Sequence, residues 1–151
     1  MAGQNFGARL AQRVKDTFKD AAWMAVALMG AFAIACHLLP GPLVRVFSKD
    51  AGVIAVGTEY LRIISFNYVA SGLVFVASST FQAMGNTIPS LIASVVRIAL
   101  VAIPGVIISR LPGFELHWLW WLSVGSVFVQ LVLAMLLLRR EFSLRLAWSS
   151  P

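Results

Sequence analysis

Residues 21–44 read AAWMAVALMGAFAIACHLLPGPLV, and this stretch decides the fold class because it contains no Asp, Glu, Lys or Arg. About 20 apolar residues in a helix cross the hydrocarbon core of a bilayer. The run is too long for the apolar core of a signal peptide, which has about 7–15 residues. It therefore predicts a transmembrane helix.

The rest of the chain repeats this pattern. Hydrophobic residues make up 60% of the 151 residues and charged residues only 12%, whereas soluble domains carry about 25% charged residues. We therefore predict an all-α membrane protein. Its parts are a cytoplasmic amphipathic segment at 1–20, a four-span region at 21–138 and a cytoplasmic tail at 139–151. The four spans are predicted at about 21–44, 63–84, 91–108 and 118–138.

The segment before the first span is basic and periodic. Phe6, Leu10, Val14 and Phe18 recur every four residues, which places them on one face of a helix. A basic amphipathic helix of this kind is typical of the membrane surface. We expect it to lie at the interface and to lead into the first span.

Charge predicts the orientation. Four spans place both termini on one side, and that side carries seven basic residues against four on the other. Because cytoplasmic loops are enriched in Lys and Arg, we expect both termini in the cytoplasm. The same distribution accounts for the net charge of +6 without nucleic acid. The seven are Arg9, Arg13, Lys15, Lys19, Arg139, Arg140 and Arg145; the four are Arg45, Lys49, Arg62 and Arg110.

Catalytic and metal chemistry have no visible support. All six acidic residues lie outside the predicted spans, and Cys36 is the only cysteine. No nucleophile–base pair, phosphate-binding glycine loop or metal-ligand spacing occurs. We therefore expect no enzyme activity, no catalytic residue, no metal and no cofactor.

Polar residues inside two spans form stripes. At about 100° per residue, four residues of the second span share one face, and three of the fourth span form a shorter stripe. The stripes either line a cavity for a solute or are helix–helix contacts, since small polar residues let helices approach closely. The first stripe is Asn67, Ser71, Ser78 and Gln82, and the second is Ser123, Ser126 and Gln130.

Three further residues have a structural and a functional interpretation. Arg97 is unfavourable in mid-span by about 2.5–3.5 kcal/mol on insertion scales. It either bonds to carbonyls, those of neighbouring helices or the one that Pro104 frees in its own span, or repels and gates cations. Ser90 and Ser94 lie on the same face. His37, near the end of a span, is either an interfacial residue or a proton relay.

Four stretches resemble the multidrug and toxic compound extrusion (MATE) family of twelve-span efflux transporters. They are GQNFGAR at 3–9, LVRVFSKDAGVIAVGTEYLRI at 43–63, STFQAMGNTIPS at 79–90 and VVRIALVAIPGVI at 95–107. The first resembles the cytoplasmic end of the family's eighth span through Gly3, Gln4, Asn5, Gly7 and Ala8. The resemblance thus implies that this chain corresponds to spans nine to twelve.

The resemblance also implies a function and partners. Members exchange small organic cations for protons or sodium by alternating access between two lobes in the lipid bilayer. A chain with only part of one lobe is not expected to export solutes alone. Some branches carry an acidic residue in the span matching residues 63–84, and none is present here. Sodium binding by this part is therefore not expected.

Three other hypotheses are open. The chain could be an inactive truncated product. It could be a self-standing homo-oligomer that packs through Val26, Gly30 and Ala33. It could also be a relative of the lipid-linked saccharide flippases, to which only Arg97 points.

Overall fold

The structure, a computed structural model, describes residues 1–149, and these form helices with no strand among them. Seven α-helices are followed by one short 3₁₀ turn at Ala147–Ser149. The α-helices are α1 Ala2–Gly7, α2 Ala11–Leu38, α3 Pro40–Arg45, α4 Ala51–Ile64, α5 Asn67–Ala83, α6 Ile88–Ile108 and α7 Leu116–Arg145. Residues 150–151 of the predicted tail lie outside the described residues.

Three of these helices are long and apolar enough to cross a membrane, namely α2, α6 and α7. Helices α4 and α5 pass the same test as a pair bent by 51°, which gives a fourth candidate span. The predicted all-α membrane fold is therefore confirmed.

The helices begin and end at different residues from the predicted spans. The amphipathic segment is divided by a turn in which Arg9 has φ 57°, and its second half continues into the first span as α2. Helix α2 ends at Leu38, just before Pro40 starts α3. Proline lacks the N–H that would extend the preceding helix, so the apolar run breaks there. The predicted second span begins inside α4 and passes through the bend.

The four long segments pack in a row. Helix α2 packs on α5, α5 on α7, and α7 on α6, so that α2 and α6 lie at the two edges. A close approach at Gly72 forms part of the α2–α5 contact, since a Cβ there would lie 2.9 Å from Cγ of Met29. Gly30 lies on the same seam, 4.0 Å from Val69 by the same measure. The α2 face that the homo-oligomer hypothesis requires is therefore used within the chain.

The best-packed part of the molecule is the end at which the two termini meet, here called the terminal cluster. Buried side chains from the start of α2, the end of α5, the start of α6 and the end of α7 fill it, with Phe6, Phe18 and Phe142 packed around them. The buried members are Ala11, Val14, Ala77, Phe81, Met84, Ala93, Ala134, Leu138 and Leu146. The apolar side chains Phe6, Val14 and Phe18 of the N-terminal segment pack within this cluster, so they contact protein. The place of the segment relative to a membrane surface stays a prediction.

Two polar contacts hold the chain ends together in this cluster. The indole Nε1 of Trp148 donates to the carbonyl of Arg9 at 2.9 Å, and the Phe6 and Trp148 rings meet edge to face at 5.3 Å. Arg145 donates to the Met84 carbonyl at 3.0 Å. It also contacts Glu141 at 2.8 Å, an ion pair not aligned as a hydrogen bond. Both chain ends therefore lie at the same end of the helix row, as four crossings require.

Candidate functional site

A polar groove lies between α6 and α7 near the middle of both helices. It is a cavity of about 430 Å³ whose lining combines one positive charge with hydroxyl, amide and apolar groups. The lining residues are Ser94, Arg97, Ile98, Val101 and Ala102 from α6 with Ser123 and Gln130 from α7. The groove thus brings Arg97 together with two of the three residues of the predicted fourth-span stripe.

Helical spacing explains why these residues meet. Ser94, Arg97 and Val101 follow at intervals of three and four, and Ser123 and Gln130 are two turns apart, so each set lies on one face. Ser126, the third member of the stripe, is buried and donates its hydroxyl to the Ser123 carbonyl at 2.8 Å. Its hydroxyl is thereby satisfied inside α7, and Ser126 does not line the groove.

Arg97 faces this groove without a protein partner. Within residues 1–149 the salt bridges are Glu115–His117 and Glu141–Arg145, and no hydrogen bond involves the Arg97 guanidinium. The carbonyl contacts expected of a structural Arg97 are not formed in this part of the chain. Pro104 does lie inside α6, as its position predicted, and no bond links it to Arg97.

The second-span stripe is divided between different surroundings. Asn67 is buried at the start of α5, where its Oδ1 has no hydrogen-bond partner within residues 1–149. Ser71 lines an apolar groove between α2 and α5, Ser78 is half-buried, and Gln82 is exposed. The four residues share a helix face, yet the structure does not bring them into the Arg97 groove.

His37, in the last turn of α2, lies against the break between α4 and α5. Its Nδ1 is 3.2 Å from the Arg62 carbonyl and 3.4 Å from the Ser65 hydroxyl, and Ser65 donates to the same carbonyl at 2.7 Å. The Phe66 ring lies 5.3 Å from the imidazole. The bend removes helical hydrogen-bond partners from nearby backbone groups, and these contacts provide partners for the Arg62 carbonyl. The sequence analysis missed Ser65, since no periodicity marks a helix break inside an apolar run.

The N-terminal motif packs α1 on its neighbours. A Cβ at Gly3 would lie 3.3 Å from the Ala83 carbonyl, so α1 closely approaches the end of α5. Asn5 donates to the Thr17 hydroxyl at 3.4 Å. The other three residues of the motif, Gln4, Gly7 and Ala8, are exposed.

A family model described as MatE matches residues 1–108, well over half of the chain. The chain belongs to the MatE family. Comparison with curated proteins and with solved structures gave no match. MatE proteins are membrane transporters, so this is a multi-pass protein of a MATE-type efflux family. The matched region includes Arg97 and ends before α7, which carries the other polar side of the groove.

Proposed function

We propose that the chain forms part of the wall of the solute path in a MATE-type antiporter of a bacterial inner membrane. As the family resemblance implies, the whole transporter exchanges organic cations for protons or sodium by alternating access. The observation that carries the proposal is the groove lined by Arg97, Ser123 and Gln130 in a chain of this family. Polar side chains inside spans tend to face a wet cavity or other protein.

We further propose that this wall acts with other spans, since the family resemblance implies that the chain corresponds to spans nine to twelve. Helices α2 and α6 are the edges of an open row and expose apolar side chains such as Phe32 and Ile98. All acidic residues lie outside the predicted spans. A carboxylate that binds the coupling ion would therefore come from another part of the transporter.

Cysteine accessibility tests whether the groove is a water-filled path. Cys36 is the only native cysteine, so Cys36→Ser gives a clean background for Ser123→Cys and Gln130→Cys. Val129→Cys and Val132→Cys are matched controls, because both valines are exposed on α7 and neither lines the groove. Membrane vesicles are treated with a charged methanethiosulfonate, which reacts with thiolates in water.

We expect the two groove positions to react many times faster than the two valine positions. A bound organic cation such as ethidium should slow that reaction. Equal, slow labelling at all four positions would contradict a solute path through this groove.

A transport assay tests whether the chain needs other spans. Proteoliposomes containing the chain alone are loaded with ethidium and given an opposing proton or sodium gradient. We expect no gradient-dependent ethidium movement above empty liposomes. Robust efflux by the chain alone would show that these helices form a complete transporter.

A further inference from the structure

Arg97 carries a positive charge near the middle of α6, a helix long and apolar enough to span a membrane. It is the tenth of the 21 residues of α6, so its Cα lies about 14 Å from the start of the helix at 1.5 Å per residue. An arginine side chain keeps its charge in proteins. Within residues 1–149 no carboxylate pairs with it, and no acidic residue lines the groove. Arg97 is partly exposed in the groove and has no counter-charge from the described residues.

The groups around Arg97 are those that bind an anion. A guanidinium matches the two oxygens of a carboxylate or phosphate with parallel hydrogen bonds. Ser94, about one helical turn from Arg97 on α6, and Gln130 and Ser123 on α7 add hydroxyl and amide donors to the groove lining. Gln130 is only 5% exposed and still lines the groove. A buried polar side chain in the same groove as an unpaired cation is consistent with an anion-binding site.

The rest of the groove is apolar. Ile98, Val101 and Ala102 line it beside Arg97. Its volume of about 430 Å³ falls in the range of about 300–1,000 Å³ typical of small-molecule sites. The groove therefore offers a charged end and a hydrophobic side to one ligand.

We propose that this groove binds the carboxylate or phosphate of an amphiphilic solute, whose apolar part lies against Ile98, Val101 and Ala102. This inference rests on the proposed solute path and names its substrate class as a solute with an anionic group. A zwitterion whose cationic group faces another wall satisfies both proposals. A resting bilayer lipid keeps its phosphate near the ends of the spans, so the depth of Arg97 favours a solute that enters the groove.

The test measures binding by the full chain in neutral maltoside micelles. Equilibrium dialysis with radiolabelled dodecyl phosphate compares the wild type with Arg97→Gln and with Arg110→Gln. Arg110 is a matched control, because it is an exposed arginine just beyond the end of α6. We expect Arg97→Gln to raise the Kd about tenfold or more, as loss of a charge-assisted pair does, and Arg110→Gln to change it less than about twofold.

Two further binding measurements test whether the effect depends on charge, and one control tests the fold. Arg97→Lys, which retains the charge, should recover part of the affinity. Labelled dodecyltrimethylammonium should bind more weakly than dodecyl phosphate and lose nothing in Arg97→Gln. Circular dichroism checks that each variant keeps its helices. Equal Kd values for Arg97→Gln and Arg110→Gln, or equal binding of the two amphiphiles by the wild type, would overturn the anion site.

Competition identifies the source of the anionic group. Displacement by inorganic phosphate supports the site and assigns it to a free anion, whereas displacement only by phosphatidylglycerol in mixed micelles supports it and assigns a lipid. Dialysis requires no transport, and cysteine labelling requires no anion. If dialysis shows no binding that depends on Arg97 while Ser123→Cys is labelled fast, the anion assignment is overturned. The proposed solute path is then unaffected.

Discussion

The terminal cluster and the Arg97 groove use the same helix in different ways. Along α7, Leu138 is buried among apolar side chains at the end where the termini meet. Two turns earlier, Gln130 lines a groove with an unpaired arginine. The comparison shows that α7 is packed along its whole buried face, from Val124 and Val127 to Leu138, and that its middle also borders a groove with polar lining.

The largest expected effect comes from removing a large side chain at the packed end. Phe81 is 0% exposed in the terminal cluster, so Phe81→Ala should lower the free energy of unfolding by about 3–5 kcal/mol. The measurement is unfolding in mixed micelles at increasing denaturing detergent. Phe75→Ala on the same helix is the control, because Phe75 is 74% exposed and should change stability by about 0.5 kcal/mol or less. Similar losses in both variants would remove the distinction between the two regions.

The second prediction concerns Arg97 in the groove, where a substitution should not lower the free energy of unfolding. On insertion scales leucine is more favourable than arginine at a helix centre by about 3 kcal/mol. Arg97→Leu should therefore favour membrane insertion. It should leave the free energy of unfolding in micelles unchanged or raise it. A translocon-insertion assay on the α6 sequence and the same detergent titration check this. A loss of stability as large as that of Phe81→Ala would show that Arg97 is structural after all.

The smallest expected effect comes from the contact between the chain ends. Trp148→Phe keeps the edge contact with Phe6 and removes the indole bond to the Arg9 carbonyl. The free energy of unfolding should fall by about 0.5–1.5 kcal/mol, the net contribution of one hydrogen bond. Trp121→Phe is the control, since Trp121 is half exposed and its indole makes no hydrogen bond within residues 1–149. Equal effects in the two variants would show that the bond contributes nothing measurable.

The fold class could be predicted from the sequence because it depends on the length and the charge content of apolar runs. A charge-free run such as 21–44 has few alternatives to a transmembrane helix. The four-residue spacing of Phe6, Leu10, Val14 and Phe18 predicted one apolar helical face, but the turn at Arg9 separates Phe6 in α1 from the two members in α2 and leaves Leu10 exposed. What covers that face could not be predicted, because periodicity shows that a face is apolar and not whether lipid or another helix meets it. In the structure the end of α7 packs against it.

The site was predictable only in part, for the same reason. Ser123 and Gln130 were recognised as one stripe and Arg97 as exceptional, yet their meeting depends on α6 packing on α7. The spacing within one helix does not contain that information. The stripe that begins at Asn67 shows the converse, because residues on one face of α5 have different surroundings at different depths.

The bend of 51° between α4 and α5 should respond to bilayer thickness. Helix α5 has 17 residues and is therefore about 26 Å long, a few ångströms short of a typical hydrocarbon core of about 30 Å. The remaining distance falls at the break, where Ser65 and His37 contact the exposed carbonyl of Arg62. A thinner membrane would let α5 cross alone. A thicker one would draw the break and its polar contacts into the hydrocarbon, so lipid chain length should set how sharply this segment is bent.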